Sequence, residues 1–290
     1  MFKKPIWRII LLSFIWLISL GGIITLMSFI ELEKAQVVCK DVKIYIPGNQ
    51  YFIDKKEIEN ILQLSSFTLV GRKIDNINLH NIENKLKANP FIESAKVYAD
   101  MDGIIMIEIS QRQPIMRVMN QFDQDFYIDK NGLKIPLSDN FTARVLAVNG
   151  FIDEPFGNKV DTLHTLLAKD LFKTVSFISK DSLWDAQIAQ VYVNAEHEIE
   201  LIPRVGNQRI LLGSADSLEL KFHNLMAFYK QALPQVGWDA YKVINIKYAN
   251  QIIGIKNSKA DSLRMKLAAD SLKMRADTSM IKKDTSLIKQ

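Results

Sequence analysis

Residues 90–114, PFIESAKVYADMDGIIMIEISQRQP, decide the fold. Ala95, Val97 and Ala99 share one parity, and Ile105, Ile107 and Ile109 share another. Side chains two apart on a strand face the same way, so each half carries one apolar face. Asp102-Gly103 between them supplies a tight turn, because glycine accepts a left-handed backbone without steric cost. The stretch therefore predicts a β-hairpin with one apolar side that helices must cover. Upstream, Leu79, Ile82 and Leu86 recur at i, i+3 and i+7, the spacing of one helix face. Asp54 followed by Glu57 reads as a capping box opening another helix before Ile58, Ile61 and Leu62. Residues 37–46, VVCKDVKIYI, have strand character and end at Pro47-Gly48-Asn49. The expected order is β-α-α-β-β in about 75 residues, short for a domain but enough for one core.

Farther upstream, Ile9 to Ile30 is a run of 22 residues without a charge. As a helix it is about 33 Å long, enough to cross the hydrocarbon core of a bilayer. A cleaved leader has a shorter apolar region and small residues at its exit, whereas Leu26, Met27, Phe29 and Ile30 are bulky. Lys3, Lys4 and Arg8 precede the run, and Glu31 and Glu33 follow it. The positive-inside bias then leaves the N-terminus in the cytoplasm and exports the rest. Cys39, the single cysteine, would stand close to that membrane; it reads as a small strand residue or as a thiol able to pair between molecules.

Downstream the pattern is β-rich with two helical stretches. Arg144–Val148, Gln187–Val193, Glu198–Ile202 and Gln208–Leu212 are strand candidates, the last two joined around Val205-Gly206-Asn207. One helix is expected from about Asp161 to Ile178. A second starts at Asp216, with Asp216 and Glu219 as a capping box and Leu218, Phe222, Leu225 and Tyr229 as its apolar stripe before Pro234. Two final strands are expected, Val243 to Tyr248 and Gln251 to Ile255.

The module at 37–113 resembles a POTRA domain. Pro90-Phe91-Ile92-Glu93-Ser94-Ala95-Lys96-Val97 resembles the hairpin entry of the FtsQ/DivIB family of bacterial division proteins. Gln111-Arg112-Gln113-Pro114 resembles that family's strand-end Glu-Arg-x-Pro, with Gln in place of Glu and hence no ionic role assigned there. Tyr127-Ile128-Asp129-x-x-Gly132 resembles the turn opening the family's second domain. Leu211-Leu212-Gly213 and Lys221 fit its apolar-Gly turn and helix, and Asn245-Ile246-Lys247-Tyr248 resembles its Asp-Leu-Arg-Tyr signature. The implied class is α+β: residues 1–8 cytoplasmic, 9–30 transmembrane, 37–113 POTRA-like, 114–256 a larger mixed β domain, and 257–290 a charged repeat tail. The resemblance further implies a non-enzymatic scaffold at the division septum of the inner membrane, holding FtsB/DivIC-like and FtsL-like subunits. Binding would proceed by β-augmentation, in which the partner adds a strand to an open sheet edge. By motif match that edge comprises Asn245, Lys247, Tyr248, Gln251, Ile252, Ile253 and Gly254. The other reading of Tyr248 is an ordinary aromatic at the rim of the core.

Composition bounds the alternatives. The chain has 290 residues, 48% hydrophobic and 24% charged, with four histidines and a formal charge of +5. One cysteine excludes an intramolecular disulfide framework and Cys-clustered metal sites, and no cofactor is expected. The basic excess sits at the two ends: residues 9–255 hold 25 basic and 28 acidic side chains, unlike a nucleic-acid-binding face. Glu196, Glu198 and Glu200 alternate along a presumed strand and read as one solvated acidic face before a glycosidase pair. No nucleophile elbow, zinc-protease motif or phosphate loop is present. The rival to a division scaffold is a POTRA-bearing adaptor for outer-membrane export, although only one such unit and no barrel pattern are visible. In the tail, Asp-Ser-Leu recurs at 261 and 270 and Asp-Thr-Ser at 277 and 284. It reads as a solvated helix or disorder, with contact to anionic lipid or cell-wall polymer as the other reading. Asp-Ser-Leu also resembles a periplasmic O-glycosylation signal.

Overall fold

The computed structural model describes residues 4–34, 37–48, 52–62, 69–248 and 250–258. The tail motifs from Asp261 on, and Asn49 of the first expected turn, lie outside the described residues. Two compact units emerge. The first runs to Arg112 and includes Ser138–Thr142; the second comprises Gln113–Leu137 and the chain from Ala143 on.

The first unit begins with α1 (Lys4–Lys34), which contains the whole apolar run. Its window Ile10–Met27 is long and apolar enough to cross a membrane, with none of it buried inside the protein. After it come β1 (Asp41–Tyr45), α2 (Lys55–Ile61), a 3₁₀ turn at Ile74–Asn76, α3 (Leu79–Lys87), β2 (Ile92–Ala99) and β3 (Ile104–Gln111). The sheet order is β1-β3-β2, with β1 parallel and β2 antiparallel to β3. Ala95, Val97 and Ala99 stand opposite Ile109, Ile107 and Ile105, so the two apolar parities share one face. The turn carries Gly103 at φ +86°, where a Cβ would lie 2.3 Å from the Val38 carbonyl oxygen.

The helix caps follow local chemistry. Asp54 accepts from the Glu57 amide at 2.7 Å, while the Glu57 carboxylate accepts from Asn140 Nδ2. Asn78 caps α3 by accepting from the Asn81 amide. Of the expected helix face, Leu86 is fully buried and Leu79 and Ile82 are half-buried. Strand β1 starts later than expected, because Val37 to Lys40 bond elsewhere: to Arg72, Gly71, Ile74 and Gly103. Cys39 is consequently outside the strand and buried, and that burial raises its thiol pKa. Gln111 is buried, its side-chain carbonyl accepting from the Ile53 amide at 3.1 Å.

The second unit comprises β4 (Pro114–Met119), β5 (Asp125–Asp129), β6 (Leu133–Ile135), β7 (Leu146–Gly150), β8 (Asp161–Thr162), α4 (Leu166–Lys180), α5 (Ser182–Gln187), β9 (Ile188–Val193), β10 (Ile199–Pro203), β11 (Arg209–Gly213), α6 (Leu218–Gln231), α7 (Leu233–Val236), β12 (Tyr241–Asn245) and β13 (Ile253–Lys256). All ten strands form one mixed sheet, ordered β13-β12-β11-β10-β9-β7-β4-β5-β6-β8. Leu171, Val175 and Ile178 of α4 and Phe222 and Leu225 of α6 pack with Val191, Leu201, Ile210 and Ile244 of the sheet in one core. Trp184 of α5 meets Phe222 edge-on at 5.0 Å. The Asp129-x-x-Gly132 motif works as a turn: Asp129 Oδ1 accepts from the Asn131 and Leu133 amides, and Gly132 takes φ +76°.

Three expectations are corrected here. The first long helix begins at Leu166 rather than Asp161, since Thr165 caps it through the Ala168 amide and Asp161–Thr162 pairs with β6 instead. The second begins at Leu218 without the Asp216 box. Asp216 is captured by Lys221 at 2.9 Å and by Ser214, leaving Ser217 as an uncapped left-handed residue. Finally, Glu200 is buried and paired with Arg209 at 3.1 Å, so Glu196, Glu198 and Glu200 do not form one solvated face.

A buried ion pair, invisible in the sequence, ties the far edge of this sheet. Lys134 and Glu154 are each almost wholly buried, 2.6 Å apart, and Lys134 also donates to the Pro155 carbonyl. Glu154 accepts from the amides of His164 and Thr165 and from the Thr165 hydroxyl, just before α4. Burial pushes its carboxyl upward, but the ammonium and these donors outweigh it and hold the pKa at about 2.

Candidate functional site

The two ends of the ten-stranded sheet differ. At one end stands β8, two residues long, beside the Lys134–Glu154 pair. At the other, among the described residues, stands β13, four residues long and exposed throughout. An end strand presents unpaired backbone donors and acceptors, a template for another strand.

The geometry of this end follows from the chain leading into it. Strand β12 runs parallel to β11, with Val243 opposite Arg209 and Asn245 opposite Leu211. Ile246 continues the pairing through its amide to the Leu211 carbonyl and is buried. Asn245 then turns its Oδ1 onto the Lys247 amide at 3.0 Å, which ends the strand. Lys247 and Tyr248 therefore sit in the β12–β13 connection and not on a strand as expected. The Lys247 stem lies over Gly213, where a Cβ would come within 2.9 Å of Lys247 Cγ. Its ammonium pairs with Glu198, which raises the lysine pKa.

Beyond the turn the chain returns antiparallel, placing Ile253 opposite Asn245, Gly254 opposite Ile244 and Ile255 opposite Val243. Gly254 lies beneath the ring of Tyr241, where a Cβ would be 2.5 Å from Tyr241 Cε1. Only glycine lets the tyrosine cover the strand at that point. The far end of β13 is pinned by Asn257, whose amide donates to the Ala240 carbonyl at 3.0 Å.

The expected residues divide by environment. Tyr248 is 53% exposed and Ile253 43% exposed, and Gln251 and Gly254 are also at the surface. Ile252 packs against the core, Asn245 spends its side chain on the turn, and Lys247 is held by Glu198. Ile255, 54% exposed, and Lys256 complete the strand but escaped the motif match, which stopped at Gly254. The alternation of Ile253 and Ile255 around a glycine was the available signal.

An open cleft of about 300 Å³ lies beside Lys247, with His197, Glu198 and Asp170 on its rim. Glu198 is engaged by Lys247, and Asp170 stands 3.5 Å from Lys173. Among the described residues no group of three or more His, Cys, Asp or Glu side chains is arranged to hold a metal ion.

Comparison with known proteins gives a consistent likeness. Residues 113–255 match the family model described as FtsQ/DivIB, C-terminal related, and residues 37–110 match a POTRA-like domain. The cell division protein DivIB of Clostridium tetani (strain Massachusetts / E88) is 24% identical over 199 residues, spanning 66% of this chain and 70% of that one.

Proposed function

The chain belongs to the FtsQ/DivIB family of non-enzymatic cell division proteins, and from that premise we propose that it is a single-pass scaffold of the divisome. In this reading α1 anchors it in the inner membrane with Lys4 and Arg8 on the cytoplasmic side, and both folded units lie outside at the septum. There it recruits FtsB/DivIC-like and FtsL-like subunits and couples them to septal wall synthesis.

The observation that carries the proposal is the exposed end strand β13. A partner strand laid along Ile253–Lys256 would take its affinity from backbone hydrogen bonds and its specificity from flanking side chains. Ile253 and Ile255 offer one apolar row, and Tyr248 an aromatic anchor in the connection that precedes the strand. Gly254 lets the Tyr241 ring pack directly on the strand, and Gln251 is exposed in the connection before it. Lys247 and Asn245 support the turn, and Ile252 seats it on the core.

The test is co-purification of detergent-extracted full-length chain with an FtsB/DivIC-like and FtsL-like pair. It compares wild type with Tyr248→Ala and with Ile253→Lys/Ile255→Lys, whose charges block strand addition without removing backbone groups. The expected result is capture by wild type and loss in both variants, with unchanged circular dichroism. Failure of wild type to capture the pair, or equal capture by all three, refutes the proposal. Midcell fluorescence of a tagged chain during division separates it from an export adaptor, which would be spread around the envelope.

A further inference from the structure

One end of the first unit is built from three chain segments that bond directly to one another. Val37 to Lys40 form its centre. On one side the Cys39 amide donates to the Arg72 carbonyl, the Gly71 amide to the Cys39 carbonyl, and the Ile74 amide to the Val37 carbonyl. Val38 and Lys73 bridge there as well. On the other side the Lys40 amide donates to the Gly103 carbonyl at 2.9 Å, which holds the tip of the β2–β3 hairpin against the same segment.

This end exposes an unusual set of side chains. Met101, at the hairpin tip, is 95% exposed, and Val70 and Val38 are exposed beside it. Lys40, Arg72 and Lys73 are exposed around them. Asp41 and Asp100 turn a carboxylate oxygen onto backbone amides, of Val42 and of Asp102 and Ile104. Asp75 and Asp102 also stand at this end, so four carboxylates face three cations and the surface is amphipathic without a basic excess.

Covalent distance says what meets it. Helix α1 ends at Lys34, four residues or about 6 Å of helix past Ile30, the last residue of the apolar run. Val37 follows Lys34 by three residues, at most about 10 Å of chain. We propose that this end of the POTRA-like unit rests on the bilayer interface, with Met101, Val70 and Val38 at the headgroup–acyl boundary and Arg72 and Lys73 at lipid phosphates. Apolar tips flanked by long-stemmed cations suit that layer, the stems lying in it and the charges, the neighbouring carboxylates included, reaching toward water. The consequence is a restricted swing of the unit about its anchor. The inference rests on α1 crossing the membrane.

Its test uses the full chain in nanodiscs of phosphatidylethanolamine with phosphatidylglycerol as the minor component. Nitroxide labels are placed one at a time by Met101→Cys, Val70→Cys, Ser94→Cys and Leu17→Cys, with buried Cys39 left in place and the unaltered chain as blank. Relaxation by oxygen reports lipid, and relaxation by a water-soluble nickel chelate reports the aqueous phase. Labels at 101 and 70 are expected to lose chelate access and gain oxygen access relative to Ser94, which is exposed toward the opposite end of β2. Adding Arg72→Glu and Lys73→Glu should return chelate access at 101. Chelate access at 101 and 70 equal to that at 94, with the Leu17 label in lipid, overturns this inference and spares the anchor. A Leu17 label outside lipid overturns both.

Discussion

Replacing Glu154 with glutamine removes the buried carboxylate that pairs with Lys134 inside the second unit. The carboxylate accepts from the Lys134 ammonium at 2.6 Å and from three donors at the start of α4. Its pKa in the folded protein is about 2, against an ordinary value of 4.5. A carboxyl depressed by folding contributes stability that is complete above the unfolded pKa and disappears as pH falls through the folded one. That gap corresponds to about 3 kcal/mol at neutral pH, falling below about half by pH 3. Breaking a buried pair by removing one partner typically costs about 3–5 kcal/mol, in agreement. Urea titration of the full chain in micelles, read through the fluorescence of buried Trp184, gives the measurement. With a slope of about 2 kcal/mol per molar for a unit of this size, Glu154→Gln should lower the midpoint by roughly 1–2 M at pH 7. The difference from wild type should narrow steadily from pH 4.5 toward pH 2. A neutral-pH shift near zero, or one that does not narrow in acid, would refute the reasoning.

Three further outcomes are expected. Gly150→Ala places a Cβ 2.1 Å from the Val193 carbonyl oxygen at φ +107° and should cost more than about 1 kcal/mol, measured by the same titration. Lys221→Met removes a buried ammonium that donates to the Leu212 and Ser214 carbonyls and to Asp216; loss of roughly 2–3 kcal/mol is expected, with faster amide exchange at the end of β11. Cys39, buried and with its thiol pKa raised, should resist alkylation at neutral pH in the folded chain and react fully in urea, as read by intact mass. Rapid alkylation of the native chain would contradict its packing.

The sequence by itself determined whatever depends on neighbours along the chain. A charge-free run has the length of a membrane helix whatever surrounds it. The parities of Ala95 to Ala99 and Ile105 to Ile109 place one hairpin face inward because strand periodicity is local. Asp54 and Asp129 bond to amides three, two or four residues on; the first was readable from spacing and the second from the family resemblance. The tertiary structure alone decided what depends on distant segments. Lys134 and Glu154 are twenty residues apart and carry no mutual signal. Asp216 had a capping partner in sequence and lost it to Lys221, whose ammonium must find acceptors once α6 packs it into the core. Glu200 likewise faced solvent by alternation until Arg209 closed over it from β11. The motif at Asn245 to Tyr248 reads as strand in the sequence, but the strand stops at Asn245, whose side chain accepts from the Lys247 amide. Which strand ends the sheet among the described residues was never local information, since β13 stands there because β12 pairs with β11 on its other side.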